Sequence, residues 1–237
     1  MKKLVLVLLV LTVTLGYLNA DVYVKQKTHT SAFMGQPEKN AFTEMWFGNN
    51  KMATISPDQS VILDLQAKKF YMITHKTKSY VVADLPLDIT KLMPEQMAQM
   101  MKGMMSQISI TLQANGQKKK IGTWNANGYD ALMKIMGMET KTVFWASKDV
   151  PFDWKAFATQ YADAYKAQFM NMGEKFFQEF KKMEGFVVGS EMSMMGMTVN
   201  TEVVEINPNK TPGATVYAVP AGYVKKDKLD MGMGAMK

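Results

Sequence analysis

The chain has 237 residues, a formal net charge of +7 and no cysteine. The lack of cysteine excludes disulfides, thiolate metal sites, cysteine nucleophiles and lipid anchoring through an N-terminal cysteine. All 28 basic residues are lysines, which argues against nucleic-acid or phosphate recognition, because such sites favour the guanidinium fork of arginine.

Residues 1–20 have the pattern of an export signal. A basic start, MKK, precedes the apolar run LVLVLLVLTVTLGYL, and Leu18-Asn19-Ala20 approximates a small-residue cleavage site. The run is shorter than the ~20 residues that a membrane-spanning helix needs. We therefore predict cleavage near Ala20 and a periplasmic or secreted protein. The alternative is a retained N-terminal anchor.

Residues 21–83 predict an antiparallel meander, because short β-branched and aromatic runs alternate with turn residues. In the sequence VILDL, Val61, Leu63 and Leu65 share one face of a strand, and Ile62 points to the other. The predicted strands are 21–30, 41–47, 51–55, 60–66, 69–74 and 79–83.

Six methionines then repeat within KLMPEQMAQMMKGMMSQ, residues 91–107. From Met93 onward their spacing predicts a stripe along one face of an amphipathic helix. Thioether sulfur is a soft ligand for Cu(I), but methionine is also a flexible apolar filler. The helical periodicity favours an apolar face over a metal site here.

The second half of the chain predicts more strands and a long helix. Asn115-Gly116 and Asn127-Gly128 predict two hairpins, since both central residues of a type I′ turn need positive φ. Aromatic residues at three- and four-residue spacing predict a helix from Asp153 to about Gly185. A hairpin around Gly196 follows.

Several short motifs of the mature chain occur in a distinctive order. They are WFGNNKM (46–52), ILDLQAKKFYMITHKTKSY (62–80) and VPAGY (219–223). This order resembles a family of exported bacterial proteins of unknown function related to the lipoprotein carriers. The matching positions are Trp46, Gly48, Lys51, Asp64, Lys69, Tyr71, Lys78, Tyr80, Pro220 and Tyr223.

The resemblance implies an α+β fold, namely an incompletely closed antiparallel β half-barrel of ten or eleven strands. It also implies helices that cover the concave face of the sheet and a cavity that holds acyl chains or lipid. The chain departs from the family in lacking arginine and in its 24 methionines. The family offers no catalytic residues, and no cofactor is expected.

The residues themselves also favour a protein that is not an enzyme. No Gly-x-Ser-x-Gly elbow, His-Glu-x-x-His motif or glycine-rich phosphate loop occurs, and the two histidines, His29 and His75, are isolated. For Cu(I), the minority candidates lie in EMSMMGM (191–197). Met192 and Met194 share one strand face there, and Met195 and Met197 are predicted to share another.

We therefore predict one half-barrel domain over 21–228, followed by a flexible Met- and Gly-rich tail over 229–237. Its predicted partner is an acyl chain, lipid or lipidated protein, with transient membrane-surface contact and no nucleic acid. The alternatives are a Met-rich periplasmic copper-binding protein and an envelope module for protein–protein interaction. The residues predicted to line the apolar cavity are Met97, Met101, Met104, Phe157, Tyr161, Phe169 and Phe176.

Overall fold

The computed structural model describes residues 21–135, 137–162, 174–194 and 196–229, without the side chains at 106, 135 and 174–176. Four predictions therefore fall outside the described residues: the export signal, the contacts of Phe169 and of the Phe176 side chain, the position of Met195, and the tail beyond Leu229. The middle of the predicted long helix lies outside them too.

Twelve strands of the described chain form one sheet. They are β1 (Asp21–Thr30), β2 (Lys39–Gly48), β3 (Lys51–Ile55), β4 (Gln59–Asp64), β5 (Lys69–Thr74), β6 (Ser79–Asp84), β7 (Ser109–Ile121), β8 (Trp124–Ile135), β9 (Met138–Ser147), β10 (Phe186–Met194), β11 (Met197–Lys210) and β12 (Val224–Lys225). Their spatial order is β12-β6-β5-β4-β3-β2-β1-β11-β10-β9-β8-β7.

The sheet is open and almost wholly antiparallel. Only the two-residue β12 runs parallel to its neighbour β6 within the described strands. No pairing joins β7 to β12 across the two ends of this strand order. The predicted unclosed antiparallel sheet is confirmed, with twelve strands where ten or eleven were expected.

Helical segments are few and short in the described chain. A 3₁₀ turn covers Ile89–Leu92, and the helices are α1 (Glu95–Ser106), α2 (Trp154–Gln160) and α3 (Glu174–Phe180). Asp153 begins α2 as predicted, because its carboxylate accepts the backbone N–H groups of Lys155 and Ala156. No described helix is long and apolar enough to cross a membrane.

The two Asn-Gly hairpin predictions are wrong. β7 and β8 each run through their Asn-Gly pair, and the chain reverses at Gly122 instead. At Asn115 the β7–β8 register shifts, and the Asn115 side chain accepts the Gln117 N–H at 3.0 Å. The positive φ of Gly116 therefore serves an irregularity within a strand and not a hairpin loop.

The first six strands carry apolar residues on both faces, and in β4 the residues of VILDL divide between the faces as predicted. Leu63 belongs to the large core cluster that also contains Phe47 and Val188, with Val61 packed against it. Ile62 lies on the opposite face in a second cluster, beside Trp46 and Tyr23. Both faces of this part of the sheet are therefore covered.

A C-terminal segment, residues 213–223, covers the second cluster and is called the strap below. Val216, Tyr217, Val219 and Tyr223 pack against the cluster. The Tyr217 hydroxyl donates a hydrogen bond to the buried Asp21 carboxylate at the start of β1. Gly48 lies beside this contact, and a Cβ atom there would come within 2.8 Å of both Asp21 Oδ1 and Tyr217 Oη.

Candidate functional site

The aromatic residues of α2 are packed into the large core cluster. Phe157 is 7% exposed, and its ring centroid lies 4.8 Å from that of Phe47 and 5.6 Å from that of Phe186. Tyr161 is 2% exposed, and its hydroxyl donates to the Gly48 carbonyl. In the described structure these two residues, predicted to touch a ligand, contact other protein side chains.

The methionines of helix α1 are less buried than the aromatic residues of α2. Leu92 and Met93, just before it, are buried, and Leu92 O accepts the Leu229 N–H at 2.7 Å. Met97, Met101 and Met104 are half-buried and belong to none of the three hydrophobic clusters formed by the described residues. The start of α1 is thus anchored, while its methionine stripe lies outside the clusters that the described residues form.

Helix α1 lies on the connection between the two ends of the antiparallel sheet. The helix lies on the connection from β6 to β7, which are the outermost strands of the antiparallel part of the sheet. Its twelve residues span about 18 Å. The helix therefore belongs to the segment that links the two ends of the open sheet.

The short helix α3 packs against the other end of the sheet. The Glu179 carboxylate accepts the Leu112 N–H of β7 at 2.7 Å, and the Phe180 ring lies 5.4 Å from that of Phe144. Lys182 and the Leu112 N–H hold the pKa of Glu179 below its ordinary value. These contacts attach α3 to the third cluster, which contains Leu112 and Tyr129.

Beyond this cluster, five methionines lie on one face of β8–β11, here called the methionine face. The register pairs Met194 with Met197 and aligns Met192 with Thr142 of β9. Paired residues share a face, as do residues two apart along a strand. The methionine face consists of Met133, Met138, Met192, Met194 and Met197.

The prediction that Met197 lies on a different face from Met192 and Met194 is wrong. Two residues separate Met194 from Met197, so the hairpin sets these two side chains directly opposite each other. Residue spacing alone does not show that Met133 and Met138 lie on the same face as Met192 and Met194. Met133 and Met138 face the same way within the local β8–β9 hairpin, but their placement beside Met192 depends on the β9–β10 register, which pairs Met192 with Thr142, 50 positions away.

A polar cleft of about 480 Å³ lies near the ends of β7 and β9. Two of its four lysines are paired outside it, Lys119 with Glu191 and Lys148 with Glu184. Its lining is charged and polar, unlike that of an acyl-chain cavity. The lining residues are Lys118, Lys119, Lys120, Asn125, Ala126, Asn127, Lys148 and Asp149.

Both histidines hydrogen-bond to polar side chains beside them. His75 lies between Ser60 Oγ, 2.8 Å from Nε2, and Tyr223 Oη, 3.0 Å from Nδ1. Ser60 is buried in β4. The hydrogen bonds from Ser60 through His75 to Tyr223 therefore tie the β4–β5 hairpin to the strap. Among the described residues, no three of His, Asp or Glu are grouped so as to hold a metal ion.

Solved structures with a related arrangement are distant. PNGF-II is 10% identical with a TM-score of 0.41, and the match covers 88% of this chain but only 31% of PNGF-II. A candidate outer membrane lipoprotein-sorting protein domain from Vibrio parahaemolyticus is 8% identical (TM-score 0.30), with 79% of this chain and 85% of that chain covered. A DUF1329 family protein from Desulfovibrio piger is 11% identical (TM-score 0.26), with 85% and 90% covered.

At these identities and TM-scores the structural matches carry no conclusion about function. The chain spans about a third of the length of PNGF-II. No protein of curated function matches it in sequence. The family profile described as "Domain of unknown function (DUF4412)" matches residues 16–223, and the chain therefore belongs to this family of unknown function.

Proposed function

We propose that the protein is exported and binds an apolar ligand in the cell envelope without doing chemistry on it. The ligand is an acyl chain, a lipid or a lipidated protein, held between α1 and the open sheet. The observation that carries this proposal is the methionine stripe of α1, which is half-buried but outside the hydrophobic clusters of the described chain.

The proposal follows from what the stripe would gain by burial. Full burial of a methionine side chain contributes about 1.5–3 kcal/mol. Because Met97, Met101 and Met104 are only half-buried, a ligand that covers them would gain part of this free energy. Methionine side chains are unbranched and adapt to irregular apolar shapes. A stripe of this kind suits ligands whose chain length and unsaturation vary.

The position of α1 supports the same conclusion. Its start is fixed by the buried Leu92 and Met93, and its end leads directly into β7 at the far end of the sheet. A helix so placed can cover an apolar ligand lying against an open sheet. Phe157 and Tyr161 would then support the wall behind the ligand, and contacts from Phe169 and Phe176 stay predictions.

The test measures binding of a fluorescently labelled 16-carbon fatty acid to the exported protein. In a triple variant, Met97→Gln, Met101→Gln and Met104→Gln remove the apolar stripe while retaining good helix-forming residues. We expect this variant to bind the fatty acid at least tenfold more weakly. A control variant, Met138→Gln with Met194→Gln on the methionine face, should bind within twofold of the wild type.

As a second test, native mass spectrometry of the protein purified from its own envelope detects any lipid that co-purifies with it. Co-purifying lipid, lost in the α1 variant, would support the proposal. Absence of bound lipid together with no fatty-acid binding by the wild type would refute it. A co-purifying protein that carries no lipid would favour the interaction-module alternative instead.

A further inference from the structure

We infer that the methionine face is a site for a soft monovalent metal ion, Cu(I) or Ag(I). Its ligands are the thioethers of Met192, Met194 and Met197, with Met138 as a fourth sulfur within reach. This inference is independent of the proposed apolar ligand, because it uses different residues on a different element.

The sheet register brings these side chains together. Met194 and Met197 are directly opposed across β10 and β11, which sets their Cβ atoms about 4.5–5.5 Å apart. Met192 lies two residues before Met194 on the same face. Continued by one residue past Ser193 and Lys141, the β9–β10 register sets Met194 beside Thr140, and Met138 lies two residues further along β9 on the same face. Each sulfur is at the end of an unbranched, rotatable side chain, so three can converge on one ion.

The surroundings of the methionine face favour soft metals over hard ones. Glu139 and Glu191, the carboxylates next in sequence to Met138 and Met192, point to the opposite face. Glu139 pairs there with Lys134 at 3.4 Å, and Glu191 with Lys119. The side chains that share the face with the methionines include Thr140 and Thr142, which offer only neutral hydroxyls. Thioether ligands without carboxylate or imidazole select Cu(I) over divalent metals.

A role as core filler accounts poorly for these methionines. Met138 is 56% exposed and Met194 is 38% exposed. None of the five belongs to a hydrophobic cluster of the described residues, whereas Met52 is buried in the large cluster. The sulfurs of Met138 and Met194 are therefore open to an ion from solvent.

The test is a titration of the exported protein with Cu(I) in competition with bathocuproine disulfonate. Leucine keeps the apolar volume of methionine and removes the sulfur. The test variant is therefore Met192→Leu, Met194→Leu and Met197→Leu combined. The matched control replaces three methionines of α1 in the same way: Met97→Leu, Met101→Leu and Met104→Leu.

We expect the methionine-face variant to bind Cu(I) at least tenfold more weakly and the α1 variant to stay within twofold of the wild type. In ¹³C-methyl methionine spectra, Ag(I) should shift the signals of Met192, Met194 and Met197. A wild type that does not compete for Cu(I), or two variants that lose equal affinity, would overturn the inference.

Two further measurements separate this site from the apolar ligand. The methionine-face leucine variant should retain the thermal transition and the fatty-acid binding of the wild type, because its apolar surface is unchanged. If this variant loses Cu(I) binding but keeps the thermal transition and the fatty-acid binding, the sulfurs bind the metal. Zn(II) should bind neither protein on this face, and Zn(II) binding lost in the leucine variant would contradict the selectivity argued above.

Discussion

Replacing Tyr217 with phenylalanine tests how the strap is held on the sheet. The Tyr217 hydroxyl donates to the carboxylate of Asp21, which is 5% exposed at the start of β1. Burial, together with the neighbouring Asp21 carboxylate, raises the pKa of Tyr217, so the phenol stays protonated and keeps its role as donor. Tyr217→Phe removes this donor and leaves the ring, so no cavity forms.

The expected cost follows from the kind of hydrogen bond that is lost. A hydrogen bond to a charged group contributes about 1.5–3 kcal/mol, against about 0.5–1.5 kcal/mol for a neutral pair. A loss of about 2 kcal/mol in a domain of this size lowers Tm by about 4–8 °C. Tyr223→Phe is the matched control, because the Tyr223 hydroxyl also ties the strap to the sheet but contacts His75.

Thermal unfolding of the protein at neutral pH, followed by circular dichroism, measures both variants. We expect Tyr217→Phe to lower Tm about twice as much as Tyr223→Phe. The double variant Tyr217→Phe with Asp21→Asn should lose less than the sum of the single changes, because the two groups interact directly. Additive losses, or a Tyr217→Phe effect no larger than that of Tyr223→Phe, would refute the assignment.

Three further predictions use chemical denaturation of the same protein. Gly48→Ala should lower the free energy of unfolding by about 1–3 kcal/mol, because its Cβ would crowd Asp21 and Tyr217. Gly103→Ala in α1, with open space around it, should raise the free energy of unfolding by about 0.5–1 kcal/mol. Equal effects of the two substitutions would contradict the packing around Gly48. Phe157→Ala should cost about 3–5 kcal/mol by leaving a cavity among the core aromatic rings, and a cost below about 1 kcal/mol would show that the site is not filled core. Asn115 and Lys141 hold the pKa of Asp130 below its ordinary value. The stability that they confer is therefore present above about pH 4 and is lost as the pH falls through the lowered pKa. The stability advantage of wild type over Asp130→Asn should shrink as the pH falls below about 4, and a difference that stays constant with pH would contradict this prediction.

Local patterns predicted the strands of the first half of the chain well. β1, β3 and β5 have the predicted bounds, because each is a short β-branched or aromatic run between turn residues. The same reasoning failed at Asn115-Gly116, where the favoured hairpin dipeptide lies inside a thirteen-residue strand. There the long β7–β8 pairing outweighs the local turn preference, and the Asn115 side chain bonds to Asp130 across the pair.

The candidate sites were predictable only where they depend on local periodicity. The α1 stripe follows from helical spacing, although the helix begins at Glu95 and leaves Met93 buried before it. The methionine face combines four strands, and sequence spacing cannot predict which residues of separate hairpins share a face. One register assignment between β9 and β10 decides whether Met138 joins Met192 or points away from it.

The methionines of the core, of α1 and of the methionine face occupy three different physical environments. Met52 and Met93 are buried and act as fillers of irregular core space. The stripe of α1 is half-buried on a helix anchored at one end, which suits an adaptable apolar contact. The methionine face is partly exposed, lies outside the clusters and has its neighbouring carboxylates on the opposite side of the sheet, which suits a soft metal. Because leucine can replace methionine in the first two roles but not in the third, leucine substitution separates the roles, set by set.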